Sequence, residues 1–183
     1  LALVSILGLA VSLAVKDSLS NLAGGLTILG TKPFKVGDYV QIDDIEGTVQ
    51  DIGLVYTSLT TWDNRRILVP NSTVVDAEVT NYTTEPLRRV DLTITASYGA
   101  SVEEVKDVIQ GVLARHDKVL KDPAPFARLS SYGDNALGYA VRAWCRTEDY
   151  WDVYYDLLEE LKSAFDAAGL SIPYPQMEVT LRK

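Results

Sequence analysis

Catalytic equipment is what this chain has least of. Among its 183 residues there is one cysteine, Cys145, and one histidine, His116. A lone cysteine forms no internal disulfide, which suits a reducing compartment. A lone Cys and a lone His far apart in sequence do not make a metal site. No glycine pattern matches a phosphate-binding loop or a dinucleotide turn, so no cofactor is expected. Glu103/Glu104 and Glu159/Glu160 are adjacent acids in helical stretches, where neighbours point about 100° apart, so they read as solvated charges rather than a catalytic dyad. His116 reads as a solvated surface residue. Basic excess is also missing: the net charge of −8 argues against a general nucleic-acid binder. The reading is not an enzyme, with no cofactor and no metal.

What is present is unevenly placed. The composition, 47% hydrophobic and 23% charged, is near the globular average. Yet Leu1 to Val15 carries no charge, and its only polar side chains are Ser5 and Ser12. As a helix it rises roughly 22 Å, short of the ~30 Å hydrocarbon core of a bilayer. A signal peptide is disfavoured, because no charged n-region precedes the run and no A-x-A site follows. A buried core helix and a membrane span cut at its start remain. The first residue is Leu rather than Met, and the truncated span is the expectation. Lys16, Lys32 and Lys35 follow closely and put that end on the cytoplasmic side.

On a helical wheel Ala2, Ile6, Leu9 and Leu13 form one stripe. Ala10 and Ala14 edge it on one side, and Ser5, Gly8 and Ser12 on the other. A leucine stripe with small edges suits a tight ring of parallel helices, because small residues let backbones approach. It equally suits a small-residue-rich core helix. Lys16-Asp17-Ser18 then interrupts the pattern, and Asp or Ser there is a natural start for a new helix. Leu19, Leu22, Leu26 and Leu29 predict a second, shorter amphipathic helix, weakened by Gly24-Gly25 and Gly30 and closed by Pro33.

From Phe34 to about Tyr82 the chain reads as short strands: Tyr39–Ile42, Thr48–Ile52, Val55–Trp62 and Arg66–Val69. Gly37-Asp38, Asp43-Asp44, Glu46-Gly47 and Asp63-Asn64 serve as turns between them. A small barrel or curled sheet is expected. Next, Val90, Leu92, Ile94, Ala96 and Tyr98 alternate with polar residues as a half-buried strand. Ser101 and Glu104 form a capping-box pattern ahead of a helix faced by Val105, Ile109 and Leu113. Strands at Ala127–Tyr132 and Tyr139–Arg146 follow. A helix carrying Val153, Leu157, Leu161 and Phe165 then stops at Gly169. The order β-α-β-β-α plus a last strand, Gln176 to Leu181, fits a ferredoxin-like unit. Two glycosylation-type triplets, Asn71-Ser72-Thr73 and Asn81-Tyr82-Thr83, read as chance. Tyr150, Trp151, Tyr154 and Tyr155 read as a packing cluster.

Several strings, taken in order, resemble one family. Gly8 to Ala14 followed by Ser18 to Gly25 resembles the pore-lining third transmembrane helix of MscS-like (small-conductance) mechanosensitive channels. Pro33-Phe34-Lys35-Val36-Gly37-Asp38-Tyr39-Val40, Gly47-Thr48-Val49 and Pro70-Asn71 look like that family's β domain. Ala167 to Gln176 is similar to its C-terminal signature. The resemblance implies a membrane α-helix, an all-β Sm-like barrel, an α+β ferredoxin-like domain and a C-terminal β-strand. The corresponding segments are 1–32 (pore helix and broken interfacial helix), 33–83, 84–174 and 175–183. It also implies a homoheptamer in the inner (plasma) membrane with its soluble domains inside the cell, opened by tension to release ions and small osmolytes. The family's hydrophobic seal falls on Leu9 and Leu13, with Ser5, Gly8, Ala10, Ser12 and Ala14 as helix-packing positions. A break or hinge is expected at Asp17, Ser18 and Gly25, with Lys16 and Asp17 as charges at the pore mouth. The family often has glycine where this chain has Asp17, which bears on inactivation. The other reading is a soluble Sm-like ring binding RNA, against which the acidic charge speaks.

Overall fold

The computed structural model describes residues 2–175 and 177, with side chains from residue 8 onward. The expected strand over 175–183 and the side chain of Ser5 therefore lie largely or wholly outside the described residues. The chain forms two compact units, Leu1–Glu85 and Pro86–Lys183.

The first unit opens with one uninterrupted helix, α1 (Ala2–Thr31), where two were expected. Asp17 and Ser18 sit in its interior instead of starting a new helix. The reason is energetic. Asp or Ser inside a helix costs only about 0.5 kcal/mol relative to Ala, less than the backbone bonds a break would open. Asn21 adds a local tie, its Nδ2 donating to the Asp17 carbonyl at 3.0 Å. The helix ends where foreseen. Lys32 adopts φ 51° just before Pro33, and its N–H still donates to the Ile28 carbonyl. Among the described residues no helix is long and apolar enough to cross a membrane.

Then follow β1 (Tyr39–Ile42), β2 (Ile45–Ile52), β3 (Tyr56–Thr60), β4 (Arg66–Pro70), α2 (Asn71–Asp76) and β5 (Val79–Asn81). They build an antiparallel sheet in the order β4-β3-β2-β1-β5. Asp43 (φ 49°) and Asn64 (φ 63°) take the left-handed turn positions that Asp and Asn tolerate best. Glu46-Gly47, expected as a turn, lies inside β2. Gly47 is needed there because a Cβ would stand 2.9 Å from the Thr60 carbonyl oxygen of β3. Val40, Ile42, Val49, Leu59 and Val69 from the sheet pack with Phe34, Ile28 of α1 and Val74 of α2 to form the core. Asn81 is tied into the fold, its Oδ1 accepting from Thr83 and Thr84 N–H and its Nδ2 donating to Asp38.

The second unit contains β6 (Leu87–Ala96), α3 (Val102–Arg115), β7 (Phe126–Tyr132), β8 (Leu137–Arg146) and α4 (Tyr150–Ala167). The element order is the expected one. Its antiparallel sheet runs β6-β8-β7, and α3 and α4 share a core with one face of it. Alternation along β6 and β8 sends Val90, Leu92, Ala96, Tyr139, Val141 and Ala143 toward Ile109, Val112, Leu157 and Phe165 of the helices. Each buried Val, Leu, Ile or Phe among them contributes about 1.5–3 kcal/mol by leaving water. Gly169 (φ 70°) closes α4 as foreseen. Its N–H reaches the Asp166 carbonyl while Leu170 N–H reaches that of Phe165, a Schellman ending.

Two local expectations need correcting. Ser101 stands at the N-cap of α3, but its side chain makes no capping hydrogen bond. His116 is not a solvated residue, since its side chain is only 5% exposed. The chain turns back at the end of α3, so Nδ1 accepts the Lys118 N–H at 3.2 Å while Nε2 faces Asp156 at 3.6 Å. Lys118 spans Asp149 and Asp152 at 2.8 and 2.7 Å, and the two carboxylates raise its pKa. Cys145 is fully buried, and that burial raises the pKa of its thiol.

Candidate functional site: an exposed helix and its anchor

Helix α1 divides into two stretches with opposite surroundings. Every residue from Gly8 to Ser20 is exposed, so Leu9, Ala10, Ser12, Leu13, Ala14, Lys16, Asp17 and Ser18 are left uncovered among the described residues. Leu9 is 64% and Leu13 63% exposed, and a Cβ added at Gly8 would meet nothing within 4 Å. The part of the predicted stripe from Gly8 to Ala14 lies on one continuous helix, and nothing among the described residues covers it. An uncovered apolar row of this length marks an interaction surface.

Burial begins at Asn21. Asn21, Gly24, Gly25 and Ile28 stand at i, i+3, i+4 and i+7, which puts them on one face. That face, not the leucine face, meets the rest of the unit. Leu19 and Leu26 remain 63% and 59% exposed. Leu22 is half-buried, but Leu29 is exposed as well, so the leucine row expected of a second amphipathic helix is not the face that packs.

The packing face explains itself through distance. A Cβ on Gly24 would lie 2.8 Å from the Asn71 backbone carbonyl. One on Gly25 would lie 2.4 Å from the Leu54 carbonyl oxygen and 2.6 Å from Asn71 Nδ2. Only glycine permits that approach. Asn21 Oδ1 accepts both the backbone N–H and the hydroxyl of Ser72, at 3.0 and 2.9 Å. Asn71, at the start of α2, is completely buried. Its Nδ2 donates to the Gly53 carbonyl at 2.9 Å, its Oδ1 accepts from the Thr57 hydroxyl at 2.9 Å, and its N–H reaches the Val55 carbonyl. A polar knot around Asn71 therefore holds the sheet, α2 and the lower part of α1 together. Burial this complete also closes Asn71 to a glycan.

Of the residues in this contact only Gly25 is a site residue expected from the sequence; Asn21, Gly24, Thr57, Asn71 and Ser72 are not. The signal was available in the spacing Asn21-x-x-Gly24-Gly25-x-x-Ile28, which leucine counting obscured. Replacing Asn21 with alanine strands the Ser72 hydroxyl and N–H, and about 1–2 kcal/mol of unfolding free energy should be lost. Urea unfolding of the purified chain measures it.

Residues 17–84 match the family description "Mechanosensitive ion channel, beta-domain", and residues 90–172 match "Mechanosensitive ion channel MscS, C-terminal". The crystal structure of Helicobacter pylori MscS in its closed state superposes with a TM-score of 0.94 at 31% identity, covering all of this chain and 72% of that one. The chain belongs to the MscS family of mechanosensitive ion channels. A small-conductance mechanosensitive channel of Edwardsiella ictaluri is 38% identical over 95% of this MscS-family chain and 61% of its own length. One from Helicobacter pylori is 32% identical over 96% and 64%. The chain thus spans about three-fifths of the curated relatives it matches. Arabidopsis thaliana MSL1 shares the fold at a TM-score of 0.80 and 23% identity. Relatives and fold alike are those of channels, so the MscS-family chain is not an enzyme.

Proposed function

We propose that this chain is the pore-lining helix and adjoining soluble units of a channel subunit opened by membrane tension, which releases ions and small osmolytes during hypo-osmotic stress. The observation that carries the reading is the bare upper stretch of α1. It is an apolar helix surface left uncovered among the described residues and anchored at its lower end by the Asn71 knot. Parallel copies of the helix, seven by family resemblance, cover that surface in the plasma membrane, with the two folded units on the cytoplasmic side. The five-stranded sheet takes the Sm-like role and the second unit the ferredoxin-like one.

In such a ring Gly8, Ala10, Ser12 and Ala14, with Ser5 above them, are the surfaces along which neighbouring helices pack and slide. Leu9 and Leu13 face the axis and form an apolar constriction that dewets and stops ions. Tension favours the state of larger in-plane area, in which the helices separate and the constriction fills with water. Lys16 and Asp17, both exposed, ring the cytoplasmic mouth. Binding of RNA by a soluble ring is not favoured, given the net charge of −8 and the channel relatives.

The test is patch recording of the full-length channel carrying Leu13→Ser. A hydroxyl in the constriction stabilises water there, so the channel should open at clearly lower tension than wild type. An unchanged threshold at normal expression would remove Leu13 from the seal.

A further inference from the structure

The second unit has two unlike faces. One face of its sheet packs against α3 and α4. The alternation that buries Val90, Val141 and Ala127 turns Arg89, Asp91, Arg142, Trp144, Phe126 and Arg128 to the other face. Register places them side by side: Arg89 opposite Trp144, Arg142 between Asp91 and Phe126, and Arg128 one row further along. Rows lie about 6.8 Å apart, two residues along a strand.

Charge on this face runs against that of the chain. Three guanidinium groups stand beside one carboxylate on a protein of net charge −8. Asp91 is already engaged, since its carboxylate takes a two-pronged contact from Arg89 at 2.6 and 2.9 Å and stands 3.9 Å from Arg142. Arg128 contacts only the Phe126 ring, at 5.8 Å, and pairs with no carboxylate among the described residues. Arg142 also lies over Phe126, at 5.4 Å, and Arg89 over Trp144, at 5.8 Å. The side chains of Arg89 and Arg142 stay 39% and 47% exposed.

We propose that this sheet face binds a small organic polyphosphate of the nucleoside triphosphate class. Arginine forks match phosphate oxygens in pairs; Arg128 faces no carboxylate among the described residues, and Arg142 meets Asp91 only at 3.9 Å, so both hold donor capacity in reserve. Trp144 and Phe126, interleaved with the arginines, offer flat surfaces for a base. A surface rather than a deep pocket implies modest affinity that weakens as salt rises.

Isothermal titration of the full chain with ATP at about 50 mM salt tests this, with inorganic triphosphate and adenosine as separate arms and thermal unfolding as the folding control. ATP should bind saturably. Arg128→Gln combined with Arg142→Gln should weaken it by at least about tenfold, the loss expected for charge-assisted hydrogen bonds. Trp144→Leu, or Arg89→Gln if the former unfolds, should weaken ATP more than triphosphate. No saturable binding below about 5 mM, a millimolar affinity being worth only about 4 kcal/mol, overturns the proposal. So does an unchanged affinity in the double arginine variant. Triphosphate binding as tightly as ATP removes the base from the site, and displacement of ATP by a tighter-binding single-stranded oligonucleotide overturns the proposal in favour of nucleic acid.

Discussion

Gly25→Ala is expected to cost the first unit about 2–3 kcal/mol, a large penalty for a single methyl group. The methyl would arrive 2.4 Å from the Leu54 carbonyl oxygen, well inside contact distance, and that oxygen belongs to backbone that cannot rotate away. Relief requires α1 to lift off Asn71, and lifting strands the hydrogen bonds that Asn21 makes to Ser72. The same substitution at Gly8 is the internal control. There a Cβ meets nothing, and exchanging Gly for Ala in an open helix stabilises by up to ~1 kcal/mol. Unfolding of the two variants by urea should therefore move in opposite directions. If Gly25→Ala matched wild type, the close approach of α1 to the Leu54 carbonyl would be refuted.

Asn71→Ala should be at least as damaging, by about 3 kcal/mol or more. It removes both halves of the arrangement: the fully buried Thr57 hydroxyl loses its acceptor and the half-buried Gly53 carbonyl loses its donor. The side chain also fills space beneath Gly25, so truncation leaves a cavity as well as stranded polar groups. Asn71→Asp separates the two causes. It keeps the volume but sets an acceptor against the Gly53 carbonyl, so a comparable loss would assign the effect to hydrogen bonding. In recordings of the full-length channel both variants should alter gating without altering the residues of the proposed constriction.

The parts of the molecule written in apolar periodicity were legible in advance. Alternation from Val90 to Ala96 gave β6, the Val105–Leu113 face gave α3, and Gly169 gave the end of α4. Features set by long-range contact were not. Gly24-Gly25 reads locally as a weak point in a helix, and only the backbone of α2 lying across it turns weakness into fit. Asn71-Ser72-Thr73 reads as a surface triplet, and only the folded sheet shows that Asn71 is completely buried. Glu46-Gly47 reads as a turn until Thr60 is placed beside it. Asp17-Ser18 reads as a helix start because capping preferences carry no information about the helix that already runs through them. The wheel puts Leu9 and Leu13 on one row, and the structure leaves both exposed.

The uninterrupted run of α1 makes it a lever. Its fulcrum is the glycine pair seated on Asn71, and Leu13 lies twelve residues up the arm, about 18 Å at the rise of an α-helix. A tilt of roughly 10° about that seat carries the Leu13 level sideways by about 3 Å, comparable with the diameter of a water molecule, whereas a helix jointed at Asp17 would lose part of the motion in the joint. The stiffness of the arm and the hardness of its seat, more than the greasiness of its tip, would then set how far a small push travels.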